Sequence, residues 1–101
     1  MQASAWSNGS GTYGIRVGVP NRDEFFEESW TEIEVEIDGQ LHYFALTAGF
    51  WNHCPEFRDS GAPIIRDWLQ RHWSLTWPPR KPPKVQLVPL GNRRFRLLLL
   101  K

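Results

Sequence analysis

Cysteine is nearly absent from this chain: Cys54 is the only one among 101 residues, so no internal disulfide can form. A domain without that staple suits a reducing compartment, and a cytoplasmic location is expected. Long apolar runs are missing too. The longest, Leu97 to Leu100, falls far short of the ~20 residues a membrane-spanning helix needs. Residues 1–11 show neither a basic start nor an apolar stretch, so no secretory signal is read there. Gly9, Gly11 and Gly14 precede the first expected strand instead of following one, which excludes a dinucleotide fingerprint. No motif of a known family stands out.

What is present is ordinary globular composition, 41% hydrophobic and 23% charged, at a length suited to one domain. The aromatic content is less ordinary, with six Trp and six Phe. Large rings help a small domain reach a workable core, and binding surfaces also favour them. The net charge of +1 hides a split. Residues 1–65 set three arginines against ten acids, a balance of −7. Residues 66–101 set nine cations against Asp67 alone, a balance of +8. Such asymmetry marks either a partner surface or two halves that neutralise each other side by side in one sheet.

Along the chain, residues 1–12 are polar, rich in Ser and Gly and without periodicity, and read as a flexible leader ahead of a single domain over 13–101. Ile15, Val17 and Val19 alternate in a first strand that Pro20 stops. Asn21 and Glu24 have capping-box spacing for a short helix over about 22–29, anchored by Phe25 and Phe26. The clearest strand runs from Thr31 to Asp38, where Ile33, Val35 and Ile37 alternate with Glu32, Glu34 and Glu36. Asp38-Gly39 predicts a hairpin to Leu41–Leu46. A two-residue loop buries His42, Phe44 and Leu46, whereas a three-residue loop buries Leu41, Tyr43 and Ala45. The first is expected, because Phe and Leu fill more core than Ala.

Ser60 and Pro63 open a second helix with an apolar stripe of Ile64, Ile65, Trp68 and Leu69, completed by His72 or Trp73. The prolines of Trp77-Pro-Pro-Arg-Lys-Pro-Pro then dictate an extended connection. A closing hairpin, 85–90 and 94–100, turns at Gly91-Asn92 and places Val88 and Leu90 with Phe95, Leu97 and Leu99. The unbroken leucines predict a strand buried on both faces, inside the sheet or under a partner. The fold expected is α+β, with about five mostly antiparallel strands and two helices packed on one side.

Candidate chemistry is sparse, and no catalytic residue, metal site or cofactor is assigned. His53-Cys54, with Glu56 and Asp59, is the one cluster that suggests an activated thiol or a zinc site. Adjacent residues point different ways, however, and completing the cluster needs His42 or His72 in space. The acids Glu32, Glu34, Glu36 and Asp38 lie about 7 Å apart along one strand face, too far to share a magnesium ion unaided. Binding residues are sought in the aromatic loop at Trp51, and among the cations and rings of the last third: Trp77, Arg80, Lys81, Arg94 and Arg96. The expected function is that of a small accessory domain that acts by binding, through a protein partner or self-association as a homodimer. The alternative is single-stranded nucleic acid on the basic, aromatic C-terminal third. Thiol or metal chemistry at His53-Cys54 comes third.

Overall fold

The computed structural model describes residues 1–100. Among these residues seven strands and three helices follow the order β1 (Gln2–Ser7), β2 (Tyr13–Arg16), α1 (Val19–Phe25), β3 (Glu32–Ile37), β4 (Gln40–Ala45), α2 (Ala48–Trp51), β5 (Glu56–Arg58), α3 (Ile64–His72), β6 (Lys84–Gly91) and β7 (Arg94–Leu99). The strands form one mixed sheet, ordered β4-β3-β7-β6-β1-β2-β5. Every neighbouring pair is antiparallel except β3 and β7. The α+β class matches expectation. The count of five strands is low, because β1 and the three-residue β5 carry too little hydrophobic alternation to be read.

The leader is corrected. Gln2–Ser7 is an interior strand, paired with β6 on one side and β2 on the other. Its inward residues are Ala3 and Ala5, both buried. Small side chains suit a sheet that curls tightly, and they leave little hydrophobic signal. The Asn8 side-chain oxygen accepts from the N–H groups of Ser10 (2.8 Å) and Thr12 (3.1 Å), ordering the loop into β2.

The sheet curls nearly into a barrel, so its two edge strands face each other. Phe44 of β4 and Phe57 of β5 meet with ring centroids 5.2 Å apart. Inside lie Ile15, Ile33, Val35, Phe44, Phe57, Val85, Leu87, Phe95 and Leu97, all at most 4% exposed. Three helices stand among the described residues where two were expected, and of these α3 packs against β2. Phe26 stacks on Phe95 at the start of β7, 4.9 Å away. Trp68 and His72 of α3 share a recess with Leu97 and Leu99 at its end.

The β3–β4 hairpin takes the two-residue loop, with Asp38 at φ 50 and Gly39 at φ 82 and Ile37 opposite Gln40. Phe44 and Leu46 are buried, His42 is half-buried and Tyr43 is exposed. The closing hairpin differs. A bulge between Pro89 and Gly91 moves the turn to Asn92-Arg93, so Leu87 faces Leu97, and Val88 faces Arg96 on the outside. Leu97 is buried, but Leu98 is 45% exposed, so β7 is interior to the sheet and covered on one face only.

Helix starts also differ from expectation. Pro20 lies in the first turn of α1, and Asn21 donates to the Gln2 and Val17 carbonyls instead of capping. At α3 the carboxylate of Asp59, six residues upstream of Ile65, accepts the Ile65 (2.8 Å) and Arg66 (3.0 Å) N–H groups. Those groups have no intrahelical partner, so a carboxylate from outside the helix serves where Pro63 cannot.

Candidate functional site

Two cross-strand rows build the outer face of β1, β2 and β5. In one, Trp6 faces Gly14, which faces Arg58; in the next, Ser4 faces Arg16, which faces Glu56. Gly14 opens a slot between its neighbours. A Cβ there would lie 2.3 Å from the Phe57 carbonyl oxygen and 2.9 Å from Arg58 Cα. Across that slot Arg58 lays its guanidinium over the Trp6 ring, 4.5 Å from the centroid. Such a cation over an indole face is attractive in its own right.

Glu56 holds the arrangement from beneath, its side chain only 2% exposed. Its Oε1 accepts from Arg58 Nη2 at 3.1 Å. Its Oε2 lies 3.7 Å from Arg16 Nη1 and has no hydrogen-bond partner among the described residues. One buried carboxylate therefore balances two arginines and is bonded to only one of them.

The segment from Leu75 to Pro82 runs beside this face and is pinned at both ends. Tyr13 Oη donates to the Leu75 carbonyl (2.9 Å), and Ala5 N–H donates to Pro83 (2.9 Å). Tyr13 also meets the Trp77 ring edge-on at 6.2 Å. Lys81 N–H closes a turn onto Pro78 (3.0 Å), which leaves Arg80 at φ 64, a conformation glycine ordinarily takes. Between segment and strand lies an open groove of about 480 Å³, walled by Trp6, Arg16, Leu75, Trp77 and Arg80. Among the described residues two indoles and two arginines line it, and no carboxylate does.

The expected binding residues separate. Trp77 and Arg80 share the groove, and Lys81 follows in the same turn without forming a wall. Trp51, on α2, packs edge-on to Phe50 at 5.1 Å. Arg94 and Arg96 line up with Glu34 and Glu36 across the parallel β3–β7 pair. Arg94 reaches Glu34 at 2.8 Å, and Arg96 bonds Glu36. Here the acidic and basic halves of the chain neutralise each other.

Around Cys54 the expected partners do not converge. Cys54 is exposed, Glu56 holds Arg58, and Asp59 caps α3. Among the described residues no three His, Cys, Asp or Glu side chains are placed to hold a metal ion. Burial pushes the Asp59 carboxyl above the usual range despite its backbone hydrogen bonds. At the far hairpin the hydrogen bond from His72, aided by Arg71, draws Asp38 below that range.

Sequence reasoning missed Trp6, Arg16 and Arg58, and read Glu56 as a partner of His53-Cys54 instead of the arginines. The available signal was Gly14, since an isolated glycine within a strand marks close backbone approach. No helix among the described residues is long and apolar enough to cross a membrane. No family model matches this chain, and no curated protein or solved structure matches it significantly.

Proposed function

We propose that this protein is a non-enzymatic binding domain whose ligand is single-stranded nucleic acid, bound in the groove between β1 and residues 75–82. The observation that carries this reading is the pairing of two indoles with two arginines in one open groove that no carboxylate lines. Single strands present phosphates along one edge and unstacked bases along the other, so cations and rings side by side serve both.

Binding of a fluorescent single-stranded oligonucleotide, compared with the same sequence as a duplex and measured at two salt concentrations, tests the proposal. Preference for the single strand, with affinity falling as salt rises, is the expected result. Equal affinity for both forms, or no binding at low salt, counts against it. Self-association is the second reading, on a narrower basis than charge complementarity: Leu98 on β7 and Leu41 and Tyr43 on β4 are exposed. A solution mass of twice 11.8 kDa would favour it.

A further inference from the structure

We infer that Arg58 and Trp6 form a prebuilt stacking platform for one unpaired base, and that Glu56 is the positioning residue that holds it; this rests on the nucleic-acid reading above. Trp6 walls the groove, whereas Arg58, lying over the same ring, does not. The indole therefore borders both the guanidinium and the groove, and the face that Arg58 leaves uncovered is the one a base would stack on. A ring fixed on one side by a cation has little rotamer freedom left to lose when a base stacks on the other.

Glu56 is what keeps Arg58 there. Arg58 is exposed and would otherwise swing into solvent; its bond to a buried carboxylate fixes its direction. The same carboxylate attracts Arg16 from 3.7 Å without bonding it. Arg16 thus stays near the groove with its hydrogen-bonding capacity toward Glu56 unspent, available to a phosphate. The orphaned Oε2 is the structural mark of that arrangement. In a purely structural ion triad, both arginines would be expected to close on the carboxylate.

The test compares binding of two labelled probes, oligothymidylate of about twelve nucleotides and an abasic oligomer of equal length. Wild-type protein is expected to bind the abasic probe at least roughly tenfold more weakly, since one stacked base is worth about that much and Trp77 lines the same groove. Trp6→Ala should lose about tenfold of that preference while leaving the salt slope unchanged. Glu56→Ala should lose the same preference, and Glu56→Gln, which keeps an acceptor for Arg58, should restore it. Arg80→Ala should differ in kind, with the preference kept and the slope lowered by about 0.7 for one phosphate contact. Should Glu56→Ala fail to fold by circular dichroism, Arg58→Ala reads out the same platform. Equal affinity of wild-type protein for both probes would overturn the platform and leave groove binding standing. Binding of neither probe would overturn the nucleic-acid reading itself. A Glu56→Ala protein that is folded and retains the base preference would remove Glu56 from the role.

Discussion

Two outer faces of the curled sheet set arginines beside carboxylates, and their charge balances differ. Across β3 and β7 each arginine has its own acid, Arg94 with Glu34 and Arg96 with Glu36. Across β1, β2 and β5 a single acid, Glu56, serves Arg16 and Arg58, and Arg80 stands nearby on the groove wall. The first face pairs both of its arginines and carries no tryptophan. The second keeps positive charge beside Trp6 and Trp77. Exposed ion pairs contribute at most about 1 kcal/mol, so the ladder does little for stability. Its main consequence is to remove two arginines from the pool available to an anion. Basic residues crowded in a segment do not by themselves leave charge uncompensated; the balance across neighbouring strands decides that.

The sharpest break in that comparison is Gly14→Ala. A methyl group there meets backbone, which cannot retreat as a flexible side chain can. Urea unfolding should show a loss of about 2 kcal/mol or more. Glu34→Ala, on the ladder face, should lose under about 1 kcal/mol in the same assay.

Next in size is the binding contrast. Arg16→Ala combined with Arg80→Ala should weaken oligonucleotide affinity by roughly tenfold or more and flatten its salt slope by about 1.4. Arg94→Ala with Arg96→Ala should stay within about twofold of wild type. The reverse pattern would move the site to the ladder.

A smaller effect is expected at the edge of the groove face, where Asp59 caps α3. Asp59→Ala should destabilise by about 1 kcal/mol in thermal or urea unfolding, as loss of a helix cap does.

Smallest is a difference in the sign of the acid response. Asp38, beside the ladder, has a lowered carboxyl, so its contribution is present at neutral pH and is lost as pH falls through its folded value. Asp59 has a raised carboxyl, so its contribution is present in acid and fades as pH rises through its folded value. Between about pH 3 and 6, Asp38→Asn should flatten the rise of stability with pH, and Asp59→Asn should steepen it. Urea midpoints across that range measure both slopes, and slopes that do not diverge would deny the two groups their opposite environments.

Much of the fold was legible. The β3–β4 hairpin, its register and the stripe of Ile65, Trp68 and Leu69 on α3 follow from strict period-two and period-four patterns and from the Asp38-Gly39 turn. Strand β1 was hidden because Ala3 and Ala5 are small and the polar residues between them resemble a loop. The bulge at Pro89–Gly91 reversed the faces of β6, since one extra residue exchanges inside for outside. Of the site, only Trp77 and Arg80 were visible, because a basic, aromatic stretch is a local signal. Trp6, Arg16, Arg58 and Glu56 come from three different strands.

Local alternation, turn chemistry and the dearth of cysteine and long apolar runs determined the class of this domain and its main hairpin. Those properties depend on near neighbours, and near neighbours are what a sequence lists. Which arginines are neutralised and which remain available was decided only when distant strands met. Coulomb attraction falls off over a few ångströms of real space, and the chain order of Glu34 and Arg94, or of Trp6, Gly14 and Arg58, carries no record of that distance.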